Sequence, residues 1–296
     1  MTVIEHEFRI VITPFCNYRC FYCHREGLTE ESTPLALTPK DYQFMCRVAK
    51  ERWGWNTVTI TGGEPFISPI YAETCELIAK EGVRITTVSN ASLIARPKQM
   101  LKDNAQINIS LHSLTPEVYR QITKTTYPVQ EVLDTIISIR AQMPELEIHL
   151  NATVIRGMND SPEEMAKLVR FAHRVDAQVK FIDLASQNEK LIVPVEEILQ
   201  KLTEAGFTKT EESKWQIFVS KENGEKAIIT RCGFGKKYAD WGYRNLFINP
   251  DGMLSTEVAD DIPLNLLHEI RARDEDAFAS KVEWLFPPLR LKTRPQ

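Results

Sequence analysis

The chain has 296 residues and a mass of 34.0 kDa, with 36 Lys and Arg against 40 Asp and Glu, a net charge of −4 and a pI near 6.0. That length holds one α/β barrel of ordinary size plus a small extension, and the balanced charge, without a long Lys or Arg run, disfavours nucleic acid as a partner. No apolar stretch approaches the roughly twenty residues of a membrane helix, and the start of the chain, with Glu5 and Glu7, lacks the basic and apolar regions of an export signal, so a cytoplasmic location is expected.

In chain order, an apolar run at residues 8–13 predicts a first strand, and directly after it come three thiols in eight residues, Cys16, Cys20 and Cys23. Thr38-Pro39 opens a helix to about Trp53, residues 57–61 read as a strand, and Ser68-Pro69 caps a helix that Gly82 ends. Strands follow at 83–88, 106–110, 145–154 and 178–184. Between them lie a short helix near Lys98, helices opened by Thr115-Pro116 and by Pro128, and one opened by the capping-box pattern Ser161-Pro162-Glu163-Glu164 and running to Val175. A helix over 194–205 and a hairpin-like stretch at 215–230 complete the pattern. Six strand-then-helix units predict parallel strands joined by right-handed crossovers, an α/β fold closing as a partial (β/α)6 TIM-like barrel over residues 1–210. A C-terminal α+β extension over 211–296 is expected to cap its mouth and exclude water from the chemistry.

The strands carry a second pattern. Parallel strands covered on both faces read as continuous apolar runs, yet Thr57, Thr59 and Thr61 alternate with apolar residues, as do Gln106, Asn108 and Ser110, and Glu147, His149, Asn151 and Thr153. One face packs on helices, so the other lines the barrel interior and needs a polar ligand or water. Arg9 falls in the same alternation, and its guanidinium needs a partner: an interior carboxylate such as Glu147, or an anionic substrate.

Three thiolates on one short loop are ligands for a soft metal or an iron–sulfur cluster. Zinc would require a fourth ligand, for which the nearby candidate is His24. On four irons, three cysteines leave one iron open to a small molecule. The remaining cysteines are scattered, which suits a reducing compartment; Cys46 and Cys75 lie in amphipathic helices and read as core.

The spacing Cx3Cx2C, with aromatic Tyr22 before the last cysteine, resembles the signature of the radical S-adenosylmethionine (SAM) enzymes. The resemblance implies one [4Fe–4S] cluster on Cys16, Cys20 and Cys23, whose open iron binds the amino and carboxylate groups of SAM. It also implies an external electron donor such as flavodoxin or ferredoxin. Thr61-Gly62-Gly63-Glu64-Pro65 resembles the family's segment for the SAM amino group, so Gly62, Gly63 and Glu64 are implied cofactor contacts. Tyr22, Ser89, Asn90, Ser110, Asn151 and Ala185 are the others, placed where the family's ribose and carboxylate segments fall after successive strands. The likeness is greatest to the branch of GTP cyclases that begins molybdenum-cofactor synthesis, where an arginine seven residues before the first cysteine meets substrate; Arg9 matches it. Other features of that branch do not carry over. Basic residues expected in the second and fifth strands are Thr57, Thr59 and His149, and the three thiols of its second cluster align with Asp240, Tyr243 and Glu257.

The implied function is hydrogen abstraction from a small polar substrate, such as a nucleotide, nucleoside or sugar, leading to cyclisation, rearrangement or epimerisation. Peptide modification is the alternative, although with the first strand at residue 8 no preceding peptide-binding domain is expected. A metal-binding or electron-transfer protein without catalysis is the third reading, and it leaves the Gly-Gly-Glu-Pro segment unexplained. Cys232, between Arg231 and Gly233, is a candidate hydrogen-atom donor or ligand at the mouth, set against an inert thiol, and Trp241 to Arg244 form a candidate lid.

Overall fold

A computed structural model describes residues 7–23, 34–186, 188–233, 245–256 and 263–285. His24, the Trp241 to Arg244 segment, Asp240 and Glu257 lie outside the described residues. The chain forms two compact units: one comprises Met1–Cys16, His24–Thr87 and Gly233–Gln296, the other Asn17–Cys23 and Val88–Cys232.

In the first unit, strand β1 (Glu7–Val11) is followed by helix α1 (Pro39–Trp53), β2 (Thr57–Thr61), α2 (Tyr71–Lys80) and the start of β3 (Arg84–Ser89). The main chain of Thr38 donates to the Asp41 carboxylate at 2.7 Å, Pro39 needs no partner for its nitrogen, and Gly54 at φ 71° closes α1 in the left-handed region. α2 begins later than Ser68-Pro69 suggests. Those residues belong to a 3-10 turn and its exit, with Glu64 accepting from the Phe66 amide at 3.3 Å, and the helix starts at Tyr71. β1 is parallel to β2, and β2 to β3. Beneath them one core gathers Phe8, Ile10, Val58 and Ile60 with Tyr42, Met45, Cys46 and Cys75. Both helix cysteines are thus packing residues, and burial, with Glu81 nearby, pushes the Cys46 thiol up to about 12.

The second unit continues the strand–helix repeat: α3 (Pro97–Met100), β4 (Gln106–Ser110), α4 (Pro116–Thr123), α5 (Val129–Gln142), β5 (Glu147–Val154), α6 (Pro162–Arg174), β6 (Gln178–Asp183) and α7 (Val195–Glu204). β4, β5 and β6 are parallel in register, pairing Asn108 with His149 and Asn151 with Lys180. The box at 161–164 is half made. Ser161 accepts from the Glu164 amide at 3.2 Å, but the Glu164 carboxylate bonds Ser113, Thr115 and Lys167 instead of returning to the cap.

Beyond residue 205, β7 (Thr208–Glu212), β8 (Gln216–Ser220) and β9 (Lys226–Thr230) form an antiparallel run in which β9 joins β6 in parallel. The hairpin at 215–230 is present, and β7, polar and exposed throughout, is an addition that residue pattern did not signal. In the first unit β10 (Asn245–Ile248) lies parallel to β1, followed by antiparallel β11 (Met253–Thr256) and β12 (Leu264–Asn265), then α8 (Leu267–Ala272) and α9 (Glu275–Glu283).

Candidate functional site

In the first unit the chain does not leave β2 when β1 ends. Ile12 donates to Thr61 O at 3.0 Å, Gly63 to Thr13 O at 2.8 Å and Glu64 to Phe15 O at 2.8 Å, so residues 12–15 run bonded alongside 61–64. This contact dictates the two glycines. A Cβ on Gly62, whose φ is 138°, would lie 2.5 Å from Thr13 O, and one on Gly63 would lie 2.1 Å from Phe15 O and 2.8 Å from the Cys16 nitrogen. The protein's own backbone makes the close approach that these two glycines permit. Glu64 is fully buried beside them. Arg9, half-buried on β1, stacks its guanidinium over the Phe247 ring at 5.6 Å. On the same strand Glu7 accepts from Thr57 and Thr59 at 3.2 and 2.8 Å.

In the second unit, residues 17–23 are anchored at three places. Arg19 and Phe21 donate main-chain bonds to Thr123 and Ile122, both at 3.2 Å. Asn17 donates to Ser92 and accepts from Asn90, each at 2.8 Å, while Asn90 Oδ1 also accepts the Ser92 amide and hydroxyl at 2.9 and 2.7 Å. Asn90 is thereby a brace between the cysteine loop and the turn after β3, and Ser89 supports the left-handed Ala91 by accepting its amide at 2.9 Å. Third, the Tyr22 hydroxyl meets His112 Nε2 at 2.6 Å, with the rings edge to face at 75°.

Asn159 holds the surrounding loops together. Its amide donates to the carbonyls of His112 and Thr153 at 2.8 and 2.9 Å, and its oxygen accepts from Ile155 at 2.8 Å. Burial drives the His112 pKa down to about 4, so the imidazole is neutral. The Tyr22 phenol is shifted well above its usual range, first by burial of the hydroxyl and then by the charges of Cys20 and Cys23. The hydrogen-bond partners of His112, Asn159 and Glu164 are decided by which loops meet.

Ser110 and Asn151 pair across β4 and β5, and Asn151 Oδ1 is buried without a hydrogen-bond partner. Thr230 Oγ1, at the end of β9, is likewise buried without one. Ala185, half-buried, follows β6 by two residues. Cys232 follows β9 by two residues at the same carboxyl edge, its amide donating to the buried Asp183 carboxylate. His149 takes the Gln106 amide on Nδ1 at 3.1 Å and sends Nε2 to Glu147 at 2.9 Å. Burial and then Lys180 lower its pKa to about 3; Glu147 is half-exposed and water-screened, so it does not reverse that shift.

Cys16, Cys20 and Cys23 are free thiols on one loop, half-buried to exposed. Among the described residues no three His, Cys, Asp or Glu side chains gather as a single-ion site. A four-iron cluster presents separate irons to separate thiolates, and this donor set fits such a group. The buried Asn151 oxygen, which lacks a donor, fits the hydroxyl-rich part of a nucleoside cofactor, which would supply one.

Parallel strand–helix repeats with polar loops and a thiol cluster after the first strand define an α/β enzyme scaffold. A family model described as the radical SAM superfamily matches residues 10–169, more than half of the chain, and the chain belongs to that superfamily, whose cofactors are a [4Fe–4S] cluster and SAM. A probable GTP 3′,8-cyclase of Thermococcus kodakarensis is 34% identical over 211 residues, covering 66% of this chain and 65% of that one. The chain thus spans just under two thirds of that relative's length. A probable GTP 3′,8-cyclase of Pyrobaculum aerophilum is 28% identical over 285 residues, covering 90% of this chain and 88% of that one. The crystal structure of Streptococcus suis SuiB bound to its precursor peptide SuiA superposes with a TM-score of 0.68 at 14% identity, covering 99% of this chain and 67% of SuiB. That likeness is one of fold. Among the described residues no helix is long and apolar enough to cross a membrane.

Proposed function

We propose that Cys16, Cys20 and Cys23 hold one [4Fe–4S] cluster and that the enzyme abstracts hydrogen from a small polar substrate of nucleoside, nucleotide or sugar type. When bound, the cluster and SAM supply one electron and a 5′-deoxyadenosyl radical. The chain's own residues would place these groups: Glu64 meets the amino group of SAM, while Ser89, Asn90, Ser110, Asn151 and Ala185 line the rest, with the Asn151 oxygen accepting a ribose hydroxyl. Arg9 and Cys232 are assigned to the substrate, the first as a cation and the second as a hydrogen-atom donor. Residues 211–296 are assigned to closing the mouth, and an electron donor of flavodoxin or ferredoxin type, in the cytoplasm, to reducing the cluster.

The GTP cyclases among the relatives support a nucleoside-like substrate. A single observation argues for little charge on it. Thr57 and Thr59 bond Glu7, and His149 bonds Glu147, so carboxylates occupy positions where a triphosphate would need cations. A peptide substrate is the second reading, suggested by SuiB, which binds a precursor peptide.

Anaerobic reconstitution with iron and sulfide, then reduction with SAM, should give about four irons per chain and 5′-deoxyadenosine that Cys20→Ala abolishes. Zinc uptake without SAM cleavage would overturn the reading. Faster 5′-deoxyadenosine formation with nucleosides or sugars than with nucleoside triphosphates or peptides is expected; a preference for triphosphates would overturn the low charge argued for the substrate, and a preference for peptides would move it to the second reading.

A further inference from the structure

β5, β6 and β9 are parallel neighbours whose register places Asn151, Lys180 and Ile228 in one row and Thr153, Ile182 and Thr230 in the next. Register partners project from the same face of a sheet. Thr230 therefore belongs to the polar face of β5 and not to the apolar one. No described residue answers its hydroxyl: Thr230 is 9% exposed, its Oγ1 is buried without a partner, and Gln216, opposite it on β8, does not bond it. A buried hydroxyl left unpaired is destabilising, and valine would fill the same place without that penalty.

The group that answers Thr230 is not the one at Asn151. Their strands are two apart, about 10 Å across the sheet, and Thr230 sits one row, about 7 Å, further along. One ligand hydroxyl cannot reach both. With Asn151 assigned to the ribose of SAM, the second orphan is left for the second ligand.

We propose that Thr230 is a specificity-determining residue whose hydroxyl hydrogen-bonds a hydroxyl of the substrate, on an uncharged ribose or sugar part lying against β9. The inference rests on the small polar substrate argued above. A threonine hydroxyl both donates and accepts, so it can meet either the proton or a lone pair of a ligand hydroxyl. Ile182 beside it and Ile228 two residues before it are apolar, with Lys180 one row back on β6. Arg231, next in the chain, is held by Glu212 at 2.8 Å. Cys232, assigned to the same substrate, follows Thr230 by two residues.

The test uses reconstituted wild type, Thr230→Val and Thr230→Ser. Without SAM or substrate, Thr230→Val should have a urea midpoint equal to or above that of wild type, because valine leaves no orphan. A lower midpoint would show that the hydroxyl already has a partner within the protein and overturns the proposal. Weaker SAM binding by Thr230→Val, measured by equilibrium dialysis, would give the residue to the cofactor and overturns it as well. Guanosine is the substrate probe, beside its 2′-deoxy and 3′-deoxy analogues, with 5′-deoxyadenosine as the product followed. Wild type should favour guanosine over one analogue about threefold to tenfold in kcat/KM, the worth of one neutral hydrogen bond. Thr230→Val should lose that preference and Thr230→Ser keep it; a Thr230→Val enzyme that retains it, or a wild type without it, overturns the proposal. Should guanosine leave wild type at its basal rate, the nucleoside reading fails on its own, and the ligand-free midpoint of Thr230→Val still decides whether the hydroxyl is unpaired.

Discussion

Gly63 shows how little room a single residue has at this site. The nearest atoms to an added Cβ are backbone, Phe15 O and Cys16 N, and backbone bonded into a neighbouring loop cannot swing aside as a side-chain end could. Gly63→Ala is expected to cost about 1–3 kcal/mol and to reduce iron uptake, because the displaced atoms lead directly into the first thiol. Gly157→Ala is the control: its Cβ meets nothing within 4 Å, so it bears only the strain of its left-handed φ of 73°. Denaturant midpoints and iron content of the two variants check this, and equal effects would mean that the loop contact is not what demands Gly63.

At the scale of elements, a histidine just after β4 and another on β5 make stability depend on pH. His112 and His149 are buried and neutral, with pKa values lowered to about 4 and about 3, mainly by burial. Unfolded, each titrates near 6.5, so between these values the unfolded chain binds more protons than the folded one. Their contribution is complete above about pH 6.5 and is lost as pH falls towards 4 and then 3, about 3 kcal/mol for His112 taken alone. Urea midpoints measured from pH 7 to 4 should therefore fall, and His112→Asn should flatten the fall. An unchanged slope in that variant would show that His112 is not held neutral. The same elements show what pattern alone can reach. The alternation in β4 and β5 announced a polar face, and the Ser161 cap announced α6. That Glu164 would serve Ser113 and Thr115 was not visible, because its partners lie some fifty residues earlier.

For the whole molecule, the core and the thiol loop are held by different forces. The main hydrophobic cluster of the first unit contains none of Cys16, Cys20 and Cys23; the segment entering the loop is fastened by main-chain bonds from Gly63 and Glu64, and the loop itself by main-chain bonds to Ile122 and Thr123. The triple variant Cys16→Ala, Cys20→Ala, Cys23→Ala should lose all iron yet keep its far-UV circular dichroism and melt within a few degrees of the metal-free wild type. Collapse of the fold would place this protein with the small metal-dependent domains whose folding energy is metal binding.

Sequence by itself determined the chemistry of the ligands and the order of the repeat. Thiol spacing, strand alternation and caps are local properties, readable within a few residues of each other. Only the tertiary structure decided which neighbour presses on Gly62 and Gly63, that Asp183 holds the Cys232 amide, that β9 extends the parallel sheet beside β6, and that the Thr153 amide donates to His112 Nδ1. Each depends on atoms distant in the chain meeting at hydrogen-bond range, a condition set by packing and by the need of every buried polar group for a partner.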